Sequence, residues 1–204
     1  MGKDKKKDEA VTEVEHVDRN LASISQLPHI FEHEFLTRLT LSHNKLTTVP
    51  PNIADLVNLQ TLRALYLSDN DFEMLPGDVA NLSNLQILAL RDNDLLTVPR
   101  ELGQLGRLRE LHLQGNRLTT LPPEIGNLDL IGSKQVLRLE HNPWVSAIEE
   151  QLEAGGAAAV VEYIRGENYK YFYGRQEAST STIPPKKNKD KKISRAGGHR
   201  PPGC

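Results

Sequence analysis

Cysteine is nearly missing from this 204-residue chain, since the only one is Cys204, the last residue. No internal disulfide can form, and a single thiol is the usage expected of a reducing, cytoplasmic setting. Cys204 is not four residues from the end, which rules out a prenylation box. Also missing is any run of about 18 apolar residues, so no membrane-spanning helix is expected. The opening MGKDKKKDEA is charged and has no apolar stretch behind it, unlike a secretory leader. Met1-Gly2 would invite myristoylation, but Lys6 stands where Ser or Thr is needed. Without a leader, the sequon Asn81-Leu82-Ser83 is expected to be accidental. Aromatics are scarce at 5 %, against 38 % hydrophobic and 25 % charged residues, so leucine carries the apolar load of an ordinary soluble chain.

The net charge of −2 conceals a split. Between Arg175 and Cys204 eight Lys/Arg face only Glu177 and Asp190, giving that tail +6 and leaving −8 on the rest. An acidic body with a basic tail does not suit a nucleic-acid binder, which would carry its basic stripe on the folded face.

What is present is a repeat. Leu85, Leu88, Leu90, Asn93, Leu95, Val98-Pro99, Leu102, Leu105 and Leu108 have apolar spacings of 3, 2 and 5, then 3, 4, 3 and 3. Neither a steady 3.6 nor a steady 2.0 fits, so each unit reads as one short strand, one turn and one return segment. The template recurs at Leu36–Leu56, Leu62–Leu82 and Leu108–Leu128, with a degenerate first unit from Val14 and a partial last one at Leu137, Leu139 and Asn142. The unit asparagines fall at 44, 70, 93, 116 and 142, so the steps are 26, 23, 23 and 26. This period and form predict an α/β leucine-rich repeat solenoid with a parallel concave sheet and an irregular, short-helical convex side. Alternation along each strand turns the leucines inward and the residues between them outward. The asparagine is expected inward at the turn, bonding backbone groups of adjacent units, and the proline starts the return segment.

After Asn142-Pro143-Trp144 the pattern becomes helical. Ser146 and Glu149 have capping-box spacing, Gly155-Gly156 should break the run, a second helix is expected from Val160 to Phe172, and Gly174 should stop it. Trp144 should anchor this helical cap on the last repeat. The division read from the sequence is a disordered tail over 1–12, repeats over 13–143, a helical cap over 144–174, and a disordered basic tail over 175–204. Cystine caps, common on extracellular repeat proteins of this kind, cannot form.

The stretches LSHNKLTTVPPNIADL (41–56), TLRALYLSDNDF (61–72), LQILALRDNDL (85–95), NPWV (142–145), YIRGENYKYFYGR (163–175) and PPKKNKDKKISR (184–195) carry a specific resemblance. They resemble the Ras suppressor family of cytosolic leucine-rich repeat proteins, over nearly everything from Leu36 onward. The resemblance implies a cytoplasmic interaction protein of focal adhesions. It implies binding through the repeats to the LIM-domain adaptor PINCH, in the complex of integrin-linked kinase, PINCH and parvin, and damping of Ras-dependent signalling. Family members have more repeats. The deficit of roughly three units falls at the 26-residue step between Leu59 and Leu62, so a shortened form is expected.

The candidate docking face comprises the outward strand residues. These are Arg38, Thr40 and His43, then Tyr66, Ser68 and Asp69, then Ile87, Arg91 and Asp92, then Glu110, His112 and Gln114, and finally Arg138. Ser42, Ala89, Glu140 and His141 share those outward positions. A plain solvated face is the competing reading. An aromatic, an apolar residue and arginines in a row are what interface centres favour, and Tyr66, Arg91 and His112 are expected as neighbours across successive strands. About five strands at ~4.8 Å spacing and ~20 Å of exposed length offer only ~500 Å². A standard interface takes ~800 Å² from each partner, so a short array should bind more weakly than a long one. The alternative partner on the same face is a phosphatase or small-GTPase effector, held by this chain as a regulatory subunit.

No cofactor is implied. His29 and His33 have i, i+4 spacing, but no third metal ligand stands in register. No nucleophile–base constellation stands out, Gly103–Gly106 lies inside a return segment rather than in a phosphate loop, and an enzyme is not expected. The tail lysines Lys186, Lys187, Lys189, Lys191 and Lys192 with Arg195 suit a solubilising tail, an import signal or weak lipid contact at ~1 kcal/mol per charge. A monomer is expected.

Overall fold

The computed structural model describes residues 11–49 and 61–177, apart from the side chains of Pro28 and Phe31. Six three-residue strands form one open parallel sheet in chain order: β1 (Glu13–Glu15), β2 (Arg38–Thr40), β3 (Ala64–Tyr66), β4 (Ile87–Ala89), β5 (Glu110–His112) and β6 (Val136–Arg138). The register is unbroken, with Val14, Leu39, Leu65, Leu88, Leu111 and Leu137 side by side. These central residues point inward, and from Leu39 to Leu137 all are buried in a core that is almost wholly leucine, isoleucine and valine. Burial of one such side chain stabilises by roughly 1.5–3 kcal/mol, but only where a neighbouring unit covers it. The degenerate first unit supplies such cover through Leu21, Ile24 and Ile30.

The return segments are 3₁₀ turns. Those at Gly77–Asn81, Arg100–Gln104 and Pro123–Asn127 are each entered from an extended proline, Pro76, Pro99 and Pro122 respectively. A fixed φ and a missing N–H cost little at that entry point. Two further 3₁₀ turns, Ile24–Gln26 and Pro28–Glu32, return the first unit. The equivalent segment of the next unit, with Pro50, Ile53 and Leu56, lies outside the described residues, as do Leu59 and the expected site of the missing units.

The asparagines form a ladder. Asn93 Nδ2 donates to Leu90 O of its own unit (3.0 Å) and to Leu67 O of the preceding one (3.0 Å), while its Oδ1 accepts from Phe72 N (3.3 Å). Asn44, Asn70, Asn116 and Asn142 repeat the pattern. Each strand-end carbonyl between units therefore receives two amide donors, from its own asparagine and from the next. Leu139 O has no next asparagine, and there Trp144 Nε1 takes the place at 2.8 Å.

Two helices close the end of the array: α1 (Ser146–Arg165) and α2 (Glu167–Glu177). They differ from expectation in three ways. Ser146 is the first helical residue rather than the cap; Val145 holds the cap position without a side-chain bond, and its carbonyl accepts from Ile148 N and Glu149 N. The break at Gly155-Gly156 is present, with Gly156 at φ 65°, but a second break falls at Gly166, whose ψ of 145° separates α1 from α2. Gly174 does not stop α2, which runs three residues further. The helices dock through α1 against the turn Pro123–Asn127. There Arg165 Nε donates to Gly126 O (2.7 Å), and the Tyr169 hydroxyl pairs with both Leu121 N (3.1 Å) and Leu121 O (2.6 Å).

Candidate functional site

Strand alternation places the outward residues in rows that run across the repeats. The first row is Glu13, Arg38, Ala64, Ile87, Glu110 and Val136; the second is Glu15, Thr40, Tyr66, Ala89, His112 and Arg138. Beyond the strands the backbone bonds continue the register. His43 N reaches Ser68 O, Asp69 N reaches Arg91 O, Asp92 N reaches Gln114 O, and Gly115 N reaches Glu140 O. A third row thus holds Ser68, Arg91, Gln114 and Glu140. A fourth holds His43, Asp69, Asp92, Gly115 and His141, each immediately before a ladder asparagine and each at positive φ. Reversing the chain there swings the next residue inward, which is how Asn follows an outward Asp or His in every unit but one, where Gly115 takes that place. Asp and His tolerate this conformation better than most side chains.

The face differs from expectation in one respect that matters. Arg91 does not lie between Tyr66 and His112; Ala89 does, and Arg91 stands one row further on. Ala89 and Ala64 occupy outward positions yet are 6 % and 5 % exposed, because a methyl group between larger neighbours is overshadowed by them. They lower the floor of the face next to Tyr66, Ala64 along its own strand and Ala89 across on β4. The face is also one strand wider than expected, since β1 joins the sheet, and the same estimate rises to ~580 Å². That is still short of a standard half-interface.

Its charges are paired within the face. Arg91 bridges two carboxylates from successive units, Nη2 to Asp69 Oδ2 at 3.3 Å and Nε to Asp92 Oδ2 at 3.1 Å. His43 Nδ1 lies 3.8 Å from the same Asp69 oxygen. Elsewhere Arg38 lies 3.8 Å from Glu13, His112 is 3.4 Å from Glu110, and Arg138 is 3.7 Å from Glu140. Half-exposed pairs of this kind add at most about 1 kcal/mol to stability. Their effect is on geometry, because they restrict the rotamers of long exposed side chains. A depression of about 390 Å³ opens among Glu13, Glu15, Arg38, Thr40, Ser42 and Tyr66, at the N-terminal end of the face.

The outward-residue reading omitted Arg63, Gln86 and Arg109, which stand in register at the strand entrances and are exposed. Strand alternation starts one residue later and could not find them. Arg109 is held by Asp129 Oδ2 at 2.6 Å. His29 pairs with Glu32 at 3.2 Å rather than with His33, and among the described residues no group of three or more side chains could hold a metal ion. No helix among them is long and apolar enough to cross a membrane.

A unit of strand, asparagine turn and 3₁₀ return, stacked in parallel and closed by helices, defines a leucine-rich repeat protein. The family model for the leucine-rich repeat region matches residues 18–150. Among solved structures, a leucine-rich repeat protein of Leptospira interrogans superposes with a TM-score of 0.50 at 30 % identity, over 66 % of this chain and 38 % of that one. Ras suppressor protein 1 of Homo sapiens is 50 % identical over 253 residues, with 90 % of this chain and 91 % of that protein covered. The Mus musculus protein is 46 % identical over the same coverage. The chain belongs to the Ras suppressor protein 1 family. Ninety per cent of 204 residues is about 184, so about 69 of the 253 aligned positions have no counterpart here. At the 23-residue step between Asn70, Asn93 and Asn116 that is the length of three units, and the chain is a shortened member of its family.

Proposed function

We propose that this chain is a non-catalytic adaptor that binds the LIM-domain protein PINCH through its concave face. In that role it works in the cytoplasm at focal adhesions, within the assembly of integrin-linked kinase, PINCH and parvin, and dampens Ras-dependent signalling. The observation that carries the reading is the centre of the face. Tyr66 stands over the low floor made by Ala64 and Ala89, beside half-exposed Ile87, with Arg91 preorganised by Asp69 and Asp92 in the next row. An aromatic and an arginine, central and pre-set, are the residue types that dominate binding energy in protein interfaces. Thr40, Ser68, Glu110, His112, Gln114 and Arg138 form the polar surround.

The test is titration calorimetry of a PINCH LIM domain against the full chain and against Tyr66→Ala and Arg91→Ala. Each substitution should weaken binding by about tenfold or more, equivalent to ~1.4 kcal/mol. Affinity unchanged by both would refute the site. Against a full-length relative, the smaller face of this chain should give the weaker complex, and equal affinities would show that the lost units contribute nothing.

A further inference from the structure

A second surface lies away from the concave face, on the side where the chain leaves the ladder asparagines and heads for the 3₁₀ turns. There a groove of about 680 Å³ is lined by Val49, Met74, Leu75, Pro76, Leu96 and Pro99, with the carboxylates of Asp71 and Glu73 also in its wall. Three successive units contribute the same stretch to it. The fourth contributes Leu121-Pro122, and there the stretch is covered: the Tyr169 hydroxyl of α2 holds both backbone groups of Leu121. Pro122 is buried, whereas Pro76 and Pro99 are only half-buried and Met74 is 68 % exposed. The protein thus seals one unit of this side with its own C-terminal helix, while among the described residues no helix covers Met74, Pro76, Leu96 and Pro99 in the adjoining units.

We propose that the groove is the intramolecular seat of the chain that follows α2, with Ile183-Pro184-Pro185 lying along it. Reach permits this. The near edge of the groove is one unit from Leu121, ~5 Å by strand spacing. The rest of α2 beyond Tyr169 adds at most ~12 Å in any direction, and the six residues from Ala178 to Ile183 extend to ~20 Å. The chemistry matches in two ways. Ile183 is the only large apolar residue between Ala178 and Lys192, and the two prolines after it favour an extended segment with little freedom to lose. Lys186 and Lys187 then follow, facing a wall that carries Asp71 and Glu73. From Ala178 onward seven Lys/Arg stand against one Asp, +6, while the preceding 177 residues carry −8. Tethering this close gives an effective concentration in the millimolar range, so even a weak intrinsic contact is populated. A docked tail withholds its lysines from other acidic surfaces.

The chain provides its own probe, because its two methionines are Met1 and Met74. Methyl-labelled methionine in the full chain gives one signal from inside the groove. That signal is expected to move when residues 178–204 are deleted, to move to the same position in Ile183→Asp, and part of the way when Lys186 and Lys187 are both replaced by Glu. It should not depend on protein concentration. In parallel, Met74→Gln, which alters an exposed side chain and leaves the fold intact, should release the tail and raise binding to phosphatidylserine vesicles severalfold. A Met74 signal unmoved by truncation would overturn the proposal. So would a displacement lost on dilution, which would assign the groove to a second copy of the chain. Vesicle binding equal in Met74→Gln and the unaltered chain would leave the tail free for membranes and overturn it as well.

Discussion

Replacing Asn93 is the sharpest test of how the repeats hold together. Its side chain is 1 % exposed and makes bonds to Leu67 O, Leu90 O, Arg91 O and Phe72 N. Adding four bonds at about 1 kcal/mol each suggests a loss near 4 kcal/mol on Asn93→Ala. The ladder argues for less. Leu67 O keeps the amide of Asn70 at 3.1 Å, and Leu90 O keeps that of Asn116 at 2.9 Å. Only Phe72 N–H is left buried and unpaired, so the expected loss is about 1–3 kcal/mol. With a urea slope of about 2 kcal/mol/M the midpoint falls by about 0.5–1.5 M. Asn93→Asp should be worse at neutral pH, because an acceptor-only carboxylate faces three carbonyl oxygens. Its pKa in the folded state is then raised above the ordinary ~3.9. The protonated form, which can donate, is the one the fold accepts, so the deficit is largest above the raised pKa and shrinks as pH falls through it. Urea titrations followed by circular dichroism near pH 7 and near pH 5 read both effects. An aspartate variant as stable as the unaltered chain at neutral pH would refute the ladder as the source of this stability, and so would an alanine variant losing less than about 0.5 kcal/mol.

The remaining expectations concern the closing end and one turn. Trp144→Phe keeps an aromatic ring but shrinks it and removes the donor to Leu139 O, which retains Asn142 Nδ2 at 3.0 Å; a loss of about 1–3 kcal/mol is expected by urea titration, against about 3–5 for Trp144→Ala. Tyr169→Phe strands both backbone groups of buried Leu121 and should cost about 2 kcal/mol or more. Burial raises the pKa of the Tyr169 hydroxyl, with the Leu121 backbone bond opposing it. Its contribution is therefore complete below the ordinary tyrosine value near 10 and is lost as pH rises above it. Alkaline unfolding monitored by circular dichroism should begin at a higher pH in Tyr169→Phe, relative to that variant's own neutral stability. Gly115 is the one glycine in a row of Asp and His at positive φ, and a Cβ there would collide with Asp92 Oδ1. Gly115→Ala should therefore lower thermal stability and also disturb the Arg91–Asp92 pair, a change visible in the side-chain signals of Arg91.

The repeat was legible in the sequence because burial in a solenoid is decided residue by residue along a short strand, and leucine has no other common reason to recur at 3, 2 and 5. Leu39, Leu65, Leu88 and Leu111 are inward for that reason, and the asparagines follow from the buried turn they satisfy. The helical cap was less legible. Ser146 and Glu149 have the spacing of a capping box, but the chain entering from Pro143-Trp144 is fixed by the ring's bond to Leu139 O, and that tertiary contact sets where α1 starts. Gly174 permits a stop, yet Tyr169 and Tyr173 are buried against the array and α2 continues past them. On the docking face, alternation identifies which residues point outward but not which ones meet. Tyr66 and Arg91 fall in different rows because Arg91 lies beyond its strand, and only the register reveals Ala89 in between.

Loss of units equal to three repeats leaves stability and binding unequally affected. Every ladder asparagine bonds only its own unit and the one before it, so any two units with the right phase can be neighbours. Across the 26-residue step, Asn70 Nδ2 donates to Leu41 O at 3.0 Å and Leu46 N donates to Asn70 Oδ1 at 3.0 Å, against 2.9–3.0 Å and 3.1–3.3 Å for the same bonds between regular units. Strands β2 and β3 pair in the same register as the rest. A junction of this kind keeps its hydrogen bonds and its leucine cover, and the core loses only area in proportion to length. A docking face is not proportional in that way. If the proposed face docks a partner of fixed size, ~580 Å² against ~800 Å² leaves little rim to keep water from Tyr66 and Arg91. Shortening by whole repeats should therefore weaken the complex before it weakens the fold.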